Sequence, residues 1–124
     1  MKALTLKHLA GLASAAVVAL APVAALAHGI LKSATPAAGS TADVTPEAVR
    51  LTFNEGLEPM FSSVKISDAN GAAVTQEKAK VDASSPNVMT VALPKLASGA
   101  YTVQWAVMTA DSHKTKGTYT FKVK

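Results

Sequence analysis

The run YTVQWAV at Tyr101–Val107 decides the fold, because every second residue in it is large and apolar. Successive side chains of a β-strand point to opposite faces, so this alternation predicts a strand with one buried face. A second alternating run follows at Gly117–Val123, with Tyr119, Phe121 and Val123 on one face. The two runs predict two strands, each with an apolar inner side.

Four shorter segments upstream also have the pattern of strands, and turn signals separate them. The clearest turn is Asp68–Gly71, where the dipeptide Asn-Gly favours a tight hairpin. No segment after residue 27 has a convincing helical period. The sequence therefore predicts an all-β domain, a β-sandwich of about seven strands. The four upstream strands are expected at Ile30–Ala34, Ala48–Phe53, Val64–Ser67 and Val88–Leu93.

The first 27 residues have the pattern of a secretory signal peptide. Two lysines precede the uncharged segment Leu9–Ala27, which ends in the A-x-A triplet typical of a cleavage site. An uncleaved membrane anchor is the alternative, since the segment is long enough to span a bilayer, but its many alanines favour cleavage. We expect residues 1–27 to be removed, which leaves one small exported domain, 28–124, that begins with His28 and is not embedded in the membrane.

Composition excludes several classes of function. The signal peptide carries two lysines, so the mature chain has ten basic and eight acidic residues and a net charge of +2. There is no basic cluster with interleaved aromatic residues, so we expect no binding to nucleic acid. Cysteine is absent, which excludes disulfides, thiolate metal sites and cysteine nucleophiles. A metal site here must use nitrogen, oxygen or thioether ligands.

Two histidines remain after cleavage, His28 and His113, and Asp111 lies two residues before the second. If that segment is extended, Asp111 and His113 point the same way and can meet one ion. Together with the terminal amine and ring of His28, they supply three nitrogens and one oxygen, a set that suits Cu(II) or Ni(II). The Irving–Williams order favours copper. Spacing alone leaves the alternative that Asp111 and His113 are ordinary solvated loop residues.

The mature chain resembles the CopC-type periplasmic copper-binding proteins of bacteria. The resemblance rests on six motifs that cover essentially the whole mature chain: His28, Ser33–Ser40, Val49–Glu55, Gly99–Trp105, Thr109–His113 and Gly117–Lys124. It implies a Greek-key, Ig-like sandwich in the periplasm with one Cu(II) ion at one end. The implied ligands are His28, through its amine and ring, Asp111 and His113. Glu55 matches a glutamate near that site, where it is a weak ligand, an acceptor that orients an imidazole or water, or a solvated carboxylate.

Some members of that family carry a second, Cu(I) site in a methionine-rich stretch that includes a histidine. The corresponding region here, Phe61–Gln76, has neither residue. The chain is therefore expected to be a Cu(II)-only, monomeric protein of copper homeostasis and resistance, without catalytic residues or an organic cofactor. It would sequester copper or deliver it to an inner-membrane copper transport protein. The alternatives are a copper monooxygenase-like enzyme with a histidine-brace site and a metal-free Ig-like interaction module.

Overall fold

The computed structural model describes residues 29–124, so His28 and the predicted signal peptide lie outside the described part of the chain. The described chain is built of strands, with one single-turn 3₁₀ helix at Pro59–Phe61. None of its helical segments is long and apolar enough to cross a bilayer. The strands are β1 (Leu31–Thr35), β2 (Thr41–Ala42), β3 (Ala48–Phe53), β4 (Ser63–Ser67), β5 (Lys80–Val81), β6 (Val88–Ala92), β7 (Gly99–Met108) and β8 (Lys114–Val123).

The strands form two four-stranded sheets with the orders β1-β3-β6-β5 and β2-β8-β7-β4. The chain crosses from one sheet to the other after β1, β2, β3, β4 and β6, as in the predicted Greek-key sandwich. The hydroxyl of Tyr101 donates to the carbonyl of Ala97 at 2.6 Å and fixes the corner that leads into β7. The prediction of an all-β sandwich is confirmed.

Each predicted strand overlaps a strand of the structure, although β7 and β8 begin at Gly99 and Lys114, before the predicted runs at Tyr101–Val107 and Gly117–Val123. The segment Ala48–Phe53 is β3 in full, and the turn at Asp68–Gly71 closes with a hydrogen bond from the Gly71 N–H to the Asp68 carbonyl at 3.0 Å. β1 begins one residue later than predicted, at Leu31. The sequence did not predict β2 and β5, because strands of two residues are too short to show a period.

The core lies between the sheets, where the alternating apolar positions meet. Phe53 is fully buried, and the Trp105 ring packs edge-on against it with 5.1 Å between ring centroids. Trp105 also covers Gly117, where a Cβ atom would overlap the indole ring. Tyr119 is half-buried beside them, and burial raises the pKa of its phenol to about 12. The predicted inner faces of β7 and β8 are thereby confirmed.

β7 and β8 form the longest pairing of the domain. Their antiparallel register runs through ten pairs, from Gly99 opposite Val123 to Met108 opposite Lys114. The connection between them is therefore confined to five residues, Thr109–His113, at one end of the sandwich. This loop contains both described residues of the predicted copper-ligand set.

Candidate metal centre

The loop Thr109–His113 is a tight turn. The Thr109 N–H donates to the His113 carbonyl at 2.9 Å, and the Ser112 N–H donates to the Thr109 carbonyl at the same distance. Ser112 has a φ of 69°, in the left-handed region that reverses the chain direction. The segment is therefore not extended, so the condition under which Asp111 and His113 are expected to point the same way is not met.

The turn nevertheless brings the two side chains together. The Nδ1 atom of His113 lies 3.0 Å from Oδ2 of Asp111. The other carboxylate oxygen, Oδ1, accepts a hydrogen bond from the Thr109 hydroxyl and a longer one, 3.4 Å, from the His113 N–H. Because Nδ1 faces a carboxylate, it is the nitrogen that carries the proton in neutral His113, and Nε2 carries the lone pair. Both side chains are exposed to solvent, so an ion can reach them.

These hydrogen bonds keep Asp111 ionised. The Thr109 hydroxyl is the main cause that lowers the pKa of Asp111 from 3.8 to about 2, and the ring and N–H of His113 act in the same direction. A carboxyl with a lowered pKa stabilises the fold above the unfolded value of 3.8, and this contribution is lost as the pH falls through about 2. The loop therefore presents a carboxylate to cations throughout the neutral and mildly acidic range.

We expect Thr109→Val to raise the pKa of Asp111 from about 2 towards 3.8, because valine keeps the shape of the buried threonine but donates no hydrogen bond. The measurement is a pH titration of the side-chain carboxyl carbons by NMR in the metal-free protein. Thr118→Val, an exposed site on β8, is the control and should leave this pKa unchanged. An unchanged Asp111 titration in Thr109→Val would show that the hydroxyl is not the cause.

The first two described residues, Gly29 and Ile30, are held beside this loop. The Gly29 carbonyl accepts a hydrogen bond from the Thr115 hydroxyl at 2.9 Å, and Thr115 lies two residues after His113. The Ile30 N–H donates to Oδ1 of Asn54 at 2.8 Å, and the Asn54 N–H donates back to the Ile30 carbonyl at 3.0 Å. We call these contacts the entry clamp. They fasten the start of the domain between the end of β3 and the start of β8.

Glycine is required in the entry clamp. Gly29 is buried and has a φ of +60°, which side-chain-bearing residues rarely adopt. A Cβ atom there would overlap the Thr115 hydroxyl and lie 2.9 Å from its methyl carbon. The chain can approach β8 this closely only because residue 29 has no side chain.

The residues on either side of Glu55 are both hydrogen-bonded to other segments at the same end of the domain. Its neighbour Asn54 belongs to the entry clamp, and its other neighbour, Gly56, accepts a hydrogen bond from the Ala110 N–H at 3.0 Å. Glu55 itself is half-buried. Within residues 29–124, however, Glu55, Asp111 and His113 do not form a three-residue cluster that could hold an ion.

The available donors have a definite chemistry. The lone pair on Nε2 of His113 and the carboxylate of Asp111 lie on side chains that touch through Nδ1, and this pair of donors suits divalent copper, nickel or zinc better than a soft ion. The sequence identified these donors by residue type. It did not identify the residues that hold this end of the domain together. Thr109 and Thr115 act through a hydroxyl, Asn54 through its amide and backbone, and Gly29 through the lack of a side chain. The one available signal was their position beside the candidate ligands.

Comparisons with known proteins agree with this fold. A family model for the CopC domain matches residues 31–124. Protein YobA of Escherichia coli strain K12 is 39% identical over 99 residues, which cover 79% of this chain and 80% of that protein. The crystal structure of CopC from Methylosinus trichosporium OB3b has a TM-score of 0.75 and 38% identity, and the match covers 78% of this chain and 94% of that one.

A second solved structure is similar. It is PcoC, described as a methionine-rich copper resistance protein from Escherichia coli, with a TM-score of 0.69 and 33% identity over 79% of this chain and all of that one. The family match includes both sheets, Glu55 and the loop Thr109–His113. The architecture, the match over most of the chain and the identity to these relatives agree. The chain belongs to the CopC family of copper resistance proteins.

Proposed function

We propose that the mature chain, residues 28–124, is a periplasmic protein that binds one Cu(II) ion. It sequesters the ion or delivers it to an inner-membrane copper transport protein. The ligands are the amine and ring of His28, the ring of His113 and the carboxylate of Asp111. The observation that carries this proposal is the entry clamp, which fastens residue 29 to the strand that begins directly after His113.

The entry clamp matters because of covalent reach. Consecutive Cα atoms are about 3.8 Å apart, so residue 28 cannot lie far from the Gly29 carbonyl that Thr115 holds. We therefore propose that after cleavage the amine and ring of His28 meet the ion at the end of the domain that carries Asp111 and His113. A terminal amine has a pKa of about 7.7–8.0, well below that of lysine, so little free energy is needed to expose its lone pair.

Asp111 has two roles in this proposal. We assign its Oδ2 atom to the ion, while its Oδ1 atom accepts a hydrogen bond from the Thr109 hydroxyl. The same carboxylate lies against Nδ1 of His113, with Oδ2 3.0 Å from it, and this contact fixes the orientation of the ring. Glu55 lies at the same end of the domain, and we assign it a weaker role as an acceptor for an imidazole or a bound water.

The positions of the methionines support a Cu(II)-only site. Met89 is 1% exposed and fills the core, whereas Met60 is 91% exposed on the turn after β3. Met108 is half-buried on β7, and Phe61–Gln76 contains no methionine or histidine. Several thioethers in one place are what a Cu(I) site requires. We therefore infer that this chain binds copper in the oxidised state and does not exchange it between two sites of its own.

The residues give no support to the enzyme alternative. A monooxygenase acting on a polysaccharide needs a broad aromatic surface, but Tyr101, Phe53 and Phe121 are buried in the core. Asp111 also takes a coordination position that such chemistry needs for oxygen. We propose a carrier or scavenger of copper without catalytic turnover.

With a reductant present, the copper-loaded protein should produce peroxide no faster than the same amount of copper bound to a small peptide.

The test is a Cu(II) titration of the exported protein, followed by paramagnetic resonance spectroscopy, after mass analysis has established that the chain begins at His28. We expect one equivalent of copper in a tetragonal site with hyperfine splitting from three nitrogens. Affinity should fall as the pH is lowered, because each nitrogen donor must lose its proton to bind. A spectrum of weakly held copper with oxygen ligands alone would contradict the proposal.

We expect Gly29→Ala to weaken Cu(II) binding by about tenfold or more, because a displaced entry clamp disturbs the groups that orient the ligands. The control is Gly71→Ala, since Gly71 also has a positive φ, +81°, but no atom near its Cβ position and no part in the clamp. Gly71→Ala should cost about 1–2 kcal/mol of stability through backbone strain, and Gly29→Ala should cost more, because its Cβ atom also overlaps the Thr115 hydroxyl. The measurements are Cu(II) affinity and thermal unfolding. Equal copper affinity in the two variants would show that the entry clamp does not affect Cu(II) binding.

A further inference from the structure

The outer face of the sheet β2-β8-β7-β4 has two adjoining grooves. The first, about 500 Å³, lies between Phe61 and β8 and is lined by Lys114 and Lys116. The second, about 580 Å³, continues along β4, β7 and β8 and is lined by Lys65 and Lys116. Among residues 29–124, no acidic residue lines either groove. We call the two together the lysine groove.

An apolar tip stands at one end of the lysine groove. Met60 is 91% exposed and Phe61 is 61% exposed, both in the single-turn helix that follows β3. The turn is fixed to β7, because the Glu58 N–H donates to the Met108 carbonyl at 2.8 Å and the Met108 N–H donates to Oγ of Ser62 at 3.2 Å. Two consecutive large apolar side chains held in solvent are typical of a contact site.

The tip and the groove lie next to the candidate metal loop. Lys114, which lines the first groove, directly follows His113, and it pairs with Met108 across the hairpin. A molecule seated against Phe61 and Lys114 would therefore lie beside the copper ligands.

We propose that the lysine groove binds an extended acidic segment of a partner protein. An apolar side chain of that segment packs against Phe61, and its carboxylates pair with Lys65 and Lys116. The lining carries charge of one sign, which gives the charge complementarity. The exposed aromatic ring of Phe61 at one end gives an anchor of the kind that dominates interface energies. The lysines lie along grooves beside the apolar tip. This recessed position favours contact with a narrow protein segment over contact with a lipid surface. The position beside His113 links this surface to copper delivery and so rests on the proposed function, but the binding itself does not require copper.

The test uses metal-free protein and a short synthetic peptide of alternating glutamate and leucine, followed by NMR of the backbone amides. We expect the peptide to shift amides of β4, β7, β8 and the turn at Phe61. The double variant Lys65→Glu/Lys116→Glu should bind about tenfold more weakly, and Phe61→Ser should also weaken binding. Thermal unfolding of each variant checks that the fold is retained.

The matched control is Lys80→Glu/Lys95→Glu, which changes the net charge equally but lies outside the lysine groove. It should alter peptide affinity less than about twofold. Equal weakening by the two double variants would overturn the proposal, as would amide shifts spread over both sheets. Binding to vesicles that contain phosphatidylserine, without binding to the peptide, would identify a membrane surface instead. Because no copper is present, failure here leaves the proposed copper site untouched.

Discussion

A mature chain that carries one extra alanine before His28 is expected to bind Cu(II) between about a hundredfold and ten-thousandfold more weakly than the chain that begins at His28. The extra residue converts the terminal amine into an amide, which is no longer a basic donor. It also separates the new amine from the ring, so that two donors on one residue no longer bind as a pair. The measurement is competitive Cu(II) titration of the two proteins, with both termini identified by mass analysis.

The control for the extended chain is the same alanine added after Lys124, which lies at the end of β8 and outside the candidate site. This variant should match the unmodified chain in affinity and spectrum. The extended chain should also lose one nitrogen from its copper hyperfine pattern while keeping its thermal stability in the absence of metal. Equal affinity of the extended and unmodified chains would show that the terminus is not a ligand.

His113→Ala is expected to weaken Cu(II) binding by at least about a hundredfold, because loss of a direct ligand should exceed the 10–100-fold typical of groups that only orient one. The fold should tolerate the change, since the His113 side chain is 58% exposed and the turn is closed by backbone hydrogen bonds. The measurement is again Cu(II) affinity, with the nitrogen count from paramagnetic resonance.

Two comparisons make the His113 result specific. Lys114→Ala removes the neighbouring exposed side chain and should leave Cu(II) affinity nearly unchanged. Glu55→Ala should weaken binding by less than about tenfold if Glu55 only orients a ligand or a water. If His113→Ala and Glu55→Ala had equal effects, the assignment of His113 as a direct ligand would be wrong.

The fold could be predicted because its strands are long enough to alternate. Val49, Leu51 and Phe53 recur at every second position, and all three are fully buried between the sheets. The two-residue strands β2 and β5 could not be predicted, since their pairing with β8 and β6 depends on neighbours distant in sequence. Long-range pairing of this kind leaves no local period.

The candidate site was predictable in its chemistry and not in its geometry. Asp111 and His113 can be recognised as possible metal donors from their residue types alone. The turn that joins them depends on Ser112 in a left-handed conformation, which residue types do not show. The entry clamp depends on a hydroxyl and an amide far from Gly29 along the chain. Hydrogen bonds of this kind are set by the packing of the two sheets, so their partners cannot be identified from spacing.

The entry clamp has a consequence for resistance to unfolding. The hydrogen bond from Thr115 to Gly29 joins residues 86 positions apart. An ion shared by His28 and His113 would close a loop of similar length, and so act as a reversible cross-link in a domain that has no cysteine. With free Cu(II) at a hundredfold excess over the dissociation constant, the free energy of unfolding would rise by about 2.7 kcal/mol. The copper-loaded domain would then survive proteases longer than the empty one, so that its lifetime would depend on the supply of the metal.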